Sequence, residues 1–64
     1  MKNLKQHSYG IYELLTNTDV SYMIEKNQDG KYDVTMLEND EAVDDKGEFY
    51  DVVAAVEHLK HHFI

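Results

Sequence analysis

Two stretches of this chain alternate apolar and polar residues with a period of two. Val20, Tyr22 and Ile24 alternate with Ser21, Met23 and Glu25; beyond Asn27-Gln28-Asp29-Gly30 the alternation resumes, with Tyr32, Val34 and Met36 set against Lys31, Asp33 and Thr35. That period sends successive side chains to opposite faces of a strand, and both runs are rich in the aromatic and β-branched residues that fit a pleated surface. They predict a β-hairpin in which Gly30 takes the left-handed position of a type I turn with a bulge. Met23 on the polar face, and Leu37 beside Met36, break the alternation and imply that the second face is partly covered or adhesive.

Helical spacing marks the carboxyl-terminal third. Phe49, Val52, Val53, Val56, Leu59 and Phe63 form an amphipathic stripe. Asp45 with Glu48 three residues on resembles a capping box, so a helix is predicted from near Gly47 to His62. At the other end, Leu4, Ile11, Leu14 and Leu15 fall near one helical face with Tyr12 flanking it, and predict a short helix that carries Gly10 at an interior cost of about 1 kcal/mol. Thr16-Asn17-Thr18-Asp19 ends it, since these side chains compete for backbone hydrogen bonds. Glu38-Asn39-Asp40 reads as a turn, after which Glu41-Ala42-Val43 either stays irregular or adds a short third strand antiparallel to the second. The expected fold is therefore α+β: an N-terminal helix, an antiparallel hairpin or three-stranded sheet, and a C-terminal amphipathic helix packed on it. Residues 1–64 form one domain, with no internal repeat, proline, low-complexity segment or linker.

Size limits what such a fold can hold, because a chain of about 60 residues buries only roughly 60% of the surface its unfolded form exposes. Without cysteine there is neither a disulfide framework nor a thiolate metal site, which fits a reducing, cytoplasmic setting. No uncharged run approaches the roughly 20 residues of a membrane span, and Met1 to Gln6 is not followed by the apolar segment of a secretory signal.

Charge changes the picture most. Thirteen Asp and Glu oppose six lysines, there is no arginine, and the net charge is −7. Residues 1–37 hold five acids against four lysines, whereas residues 38–64 hold eight against two. Phosphate affinity comes from lysine and arginine contacts that release counterions, so direct nucleic-acid binding is not expected, nor is binding to an anionic membrane surface.

The densest acid lies in Glu38, Asp40, Glu41, Asp44, Asp45, Glu48 and Asp51, with only Lys46 among them. An EF-hand would need ligands at positions 1, 3, 5 and 12 and glycine at 6; from Asp40 the third position is Ala42 and the sixth Asp45, so calcium is not indicated. Asp44, Asp45, Glu48 and Asp51 are accounted for by the positive end of the predicted helix. Glu38, Asp40 and Glu41 are not, nor are Glu25, Asp29 and Asp33 on the hairpin. Carboxylates spread over a strand, a turn and a helix start can imitate the phosphates of a duplex. His58 and His62 share a helix face, as do Glu57 and His61, but two ligands make no metal site, and His7 stands at no recognisable spacing. Neither a metal nor a cofactor is expected. Ser8 and Ser21 sit in no nucleophile pattern and three scattered glycines make no phosphate loop, so an enzyme is not expected. Tyr22, Tyr32 and Phe49 suit the core, while Tyr9, Tyr12 and Tyr50 are candidates for partial exposure, where an aromatic beside acids can anchor an interface.

Tyr32-Asp33-Val34-Thr35-Met36-Leu37, followed by the acid-rich turn and the pair Phe49-Tyr50, resembles the first strand and following region of the small phage inhibitors of uracil-DNA glycosylase. The resemblance covers six contiguous residues of 64 and carries over no individual functional residue. It implies an acidic DNA mimic that dimerises and plugs a DNA-binding groove. Two functional expectations follow. One is a non-enzymatic protein-binding module, encoded by a phage or mobile element, that uses Glu38, Asp40, Glu41, Asp44, Asp45, Glu48, Asp51 and Tyr50 to occupy a basic surface on a DNA-handling protein. The other is an oligomerising adaptor, paired through its hairpin edge or helix stripe, whose acids serve solubility and helix capping.

Overall fold

The computed structural model describes residues 3–64. Five strands, β1 (Leu4–Ser8), β2 (Ile11–Leu15), β3 (Val20–Lys26), β4 (Tyr32–Glu38) and β5 (Glu41–Phe49), precede one helix, α1 (Val52–His62). The strands form a single antiparallel meander in the order β1-β2-β3-β4-β5. This corrects the expected fold at two points. There is no N-terminal helix, and the sheet is larger than a hairpin or three strands.

The first correction turns on Gly10. Leu4, Ile11 and Leu14 fit a helix, but they also fit two strands folded back so that Leu4 faces Leu14 and Gln6 faces Tyr12. Gly10 has φ +73°, a left-handed conformation open to glycine and unsuited to a right-handed helix. The chain turns there, and the Gly10 carbonyl accepts from Lys26 N–H at 2.8 Å, fastening this hairpin to β3. Thr16-Asn17-Thr18-Asp19 is a second turn: Thr16 Oγ1 donates to the Val20 carbonyl, and Thr18 Oγ1 accepts from Val20 N–H.

Gly30 takes φ +79°. The turn around it is closed by Asn27, whose Oδ1 accepts from Asp29 and Lys31 N–H. At the next turn Asn39 and Asp40 have φ +53° and +67°, two consecutive left-handed residues as in a type I′ turn, whose twist matches the flanking strands. Glu41-Ala42-Val43 is therefore the start of a nine-residue strand. Val43 and Lys46 are extra residues in its register with β4, and His7 is extra in β1.

Because β5 runs through Phe49, α1 starts at Val52 and not near Gly47. Its cap is Asp51, whose Oδ1 accepts from Ala54 N–H at 2.8 Å. Asp45 and Glu48, expected as the capping box, are strand residues. The helix buries Ala55, Val56 and Leu59 against Leu14, Tyr22, Ile24 and Val34, with Tyr12, Tyr32, Met36 and Phe49 packed around them. Val53, placed in the apolar stripe by its spacing, is 55% exposed. The result is two layers, one helix on one face of the sheet. Among the described residues no helix is long and apolar enough to cross a membrane.

Candidate functional site: an acidic, uncovered sheet face

Strand register sorts the polar residues by face. Tyr22, Ile24, Val34 and Phe49 point to α1, so their neighbours in sequence point away from it. Across the uncovered face the pairings run Ile11, Glu25, Asp33 and Glu48 in one row, Glu13, Met23, Thr35 and Asp45 in the next, and Leu15, Ser21, Leu37 and Ala42 in the third. Glu25, Asp33 and Glu48 thus stand directly opposite one another on three consecutive strands, all exposed, with Asp45 one row away. Adjacent strands lie about 4.8 Å apart.

Like charges held in that relation repel, by about 0.2–1 kcal/mol for each directly opposed pair. Asn27 relieves part of this, its Nδ2 donating to both Asp33 and Glu48. Lys31 Nζ is 4.0 Å from Glu48 and lies 5.6 Å from the centre of the Tyr50 ring, which ties that 83% exposed aromatic to the same corner. Glu25 lies at the other end of the row, directly beside Asp33. Glu25→Gln is therefore expected to raise stability by a few tenths to about 1 kcal/mol, read as a higher urea midpoint; a lower midpoint would show that the row is not repulsive.

Of the eight residues singled out from the sequence, Asp45, Glu48 and Tyr50 belong to this region. Asp44 does not. It pairs with Met36 on the α1 side, where Lys46 Nζ donates to its Oδ2 at 2.8 Å and sits 4.3 Å over the Phe63 ring. That hydrogen bond from Lys46, then the Asp45 N–H, holds Asp44 below the usual carboxylate range. Glu38 and Glu41 face each other across the Asn39-Asp40 turn, at the far end of β5. Asp51 caps the helix. Among the described residues, lysines approach within 4.0 Å of two carboxylates, Glu48 and Asp44. Reading the sequence put Glu25 and Asp33 on the polar side of the hairpin without joining them to Glu48; their symmetric placement about Asn27-Gly30 was the available signal.

Glu13 was hidden by its assignment to a helix. Its carboxylate is held below the ordinary range first by the Ser21 hydroxyl and then by His7, whose Nε2 lies 2.8 Å away. A depressed folded-state pKa contributes stability that is complete above the unfolded value, about 4.3 for Glu, and is lost as pH falls through the lower folded value. Glu13→Gln should remove this part of the acid limb when urea midpoints are compared from about pH 7 to about pH 3; an unchanged limb would mean that these bonds add nothing.

Two open clefts flank the Thr16–Asp19 turn. One of about 250 Å³ includes Glu13, Ser21, Asn39 and Asp40 in its lining, and one of about 400 Å³ is bounded by Tyr22, Met36, Phe63 and Ile64. His58 and His62 do share a helix face, with their tilted rings in contact at 4.5 Å between centres, and His58 packs on Phe49 at 4.9 Å. Among the described residues no group of three or more His, Cys, Asp or Glu is placed to hold a metal. The segment Tyr32–Leu37 that resembles the glycosylase inhibitors lies within β4, the fourth strand. Comparison with protein families, curated proteins and solved structures yields no match.

Proposed function

We propose that this chain is a non-enzymatic, acidic protein-binding module that acts as a DNA mimic on the cationic surface of a DNA-handling protein. The observation that carries the reading is the cross-strand row Glu25, Asp33 and Glu48, extended by Asp45 and met by one lysine at 4.0 Å. One charge per roughly 4.8 Å across the sheet is comparable with one per about 3.4 Å along a DNA strand. A fixed array of this kind serves orientation and rate of encounter with a basic surface more than raw affinity.

The test is competition with duplex DNA. Proteins retained on a DNA matrix should be displaced by this chain at low salt, with displacement falling steeply as ionic strength rises. The triple variant Glu25→Gln/Asp33→Asn/Asp45→Asn should displace poorly while remaining folded. Displacement that ignores salt, or a triple variant as effective as the parent, would refute the reading. Val53 and Phe63, exposed members of the helix stripe, favour the second reading, an oligomerising adaptor paired through its hairpin edge or that stripe; sedimentation showing only monomer at high concentration would count against that.

A further inference from the structure

An antiparallel sheet covered on one side usually turns a polar face to water. Here the middle of the open face is mixed, with the apolar Met23 and Leu37 paired to Thr35 and Ser21. Met23 and Leu37 occupy adjoining strands at its centre, each only half-buried, and Leu15, 41% exposed, stands in the same row as Leu37. No part of α1 lies on this side, since its buried residues pack against the opposite face. A partly apolar centre bordered on one flank by Glu25, Asp33, Asp45 and Glu48, with exposed Tyr50 at the corner, has the parts of a protein interface: apolar side chains in the middle, a charged rim and an aromatic anchor.

We infer that this face is the docking surface for a cationic amphipathic helix of a protein partner, its apolar stripe over Leu15, Met23 and Leu37 and its lysines or arginines reaching the carboxylate row. The inference rests on the acidic-module reading and gives it a location and a partner segment. Charge selects the occupant. A second copy packed face to face would bring two such acidic faces within about 10 Å, inside or near the screening length at physiological salt, and each chain carries a net −7. Size suits a helix: the four gaps between five strands, about 4.8 Å each, span roughly 19 Å, the length of about 13 helical residues at 1.5 Å each. α1 already packs on the other face.

The methionines make this testable, because Met23 lies on the open face and Met36 packs on the α1 side, where it lines the larger cleft. The full chain, carrying methyl-labelled methionine, is titrated with a synthetic helical peptide of leucine and lysine about 13 residues long, and with a scrambled peptide of identical composition that has no amphipathic face. The ordered peptide should move the Met23 methyl signal and leave Met36 in place. It should bind about tenfold more tightly than the scrambled one, and Glu25→Gln/Asp33→Asn should weaken it about fivefold. Met23→Gln should weaken it too; if that variant unfolds, the charge variant, which is expected to gain stability, still decides. Movement of Met36 instead of Met23 would overturn the inference, as would equal affinity for both peptides, or a Met23 signal that shifts with the chain's own concentration in the absence of peptide. Salt-sensitive binding elsewhere would leave the acidic-module reading standing without this location, whereas no binding of either peptide at low salt would remove both.

Discussion

Leu59→Ala is expected to cost about 2–5 kcal/mol, the largest effect of any single substitution considered. Leu59 is fully buried on α1, beside Ala55 and Val56, and joins the helix to Leu14, Tyr22, Ile24 and Val34 on the sheet. At about 0.05–0.15 kcal/mol per residue, a 64-residue domain has about 3–10 kcal/mol in total, so the variant should lose a large share of its stability. Urea denaturation followed by circular dichroism measures this directly. Val53→Ala is the control, since Val53 is 55% exposed and a surface change of this kind stays within about 0.5 kcal/mol. An unchanged midpoint for Leu59→Ala would mean that the helix does not rest on the sheet at all.

Gly10→Ala separates the observed fold from the one expected at first reading, because the two predict opposite signs. In a helix over residues 4–15 the change would stabilise by about 1 kcal/mol. In the hairpin it should destabilise by more than the roughly 1–2 kcal/mol cost of left-handed alanine, since φ is +73° and the new Cβ would lie 3.0 Å from Lys26 Cβ. Lys26 cannot withdraw easily, as its N–H is bonded to the Gly10 carbonyl. Gly30→Ala isolates the conformational part: φ is +79°, and nothing lies within 4 Å of the added methyl. The difference between the two midpoint shifts measures the crowding at Gly10.

How far the sequence discloses this fold depends on whether a pattern is compatible with one period or two. Val20 to Met36 alternates for long enough, around turn chemistry strong enough, that only a hairpin satisfies it, and the structure has β3 and β4 there. Leu4 to Leu15 has four aliphatic residues in twelve, too few to decide between 3.6 and 2, and Tyr9-Gly10 is not among the strong turn dipeptides. Asn39-Asp40 carries residues that tolerate left-handed backbone, but Glu41 to Glu48 contains acids, a lysine and a glycine that are poor in strands. Pairing with β4 overrides that local preference and turns a supposed helix entry into an edge strand. The site inherits the same limit. Its charge was visible in composition, and the unusual Met23 and Leu37 in the alternation, but the alignment of Glu48 with Asp33 and Glu25 exists only once β5 is in register.

The interruptions at Val43, Lys46 and His7 lie in the two outermost strands. A regular rim strand offers its free N–H and C=O groups as a template on which further chains can zip up side by side. Here a newcomer would lose its ladder within a few residues at either rim, so lateral growth into ribbons is resisted, and concentrated solutions should stay free of fibrils even with an adhesive surface on the sheet.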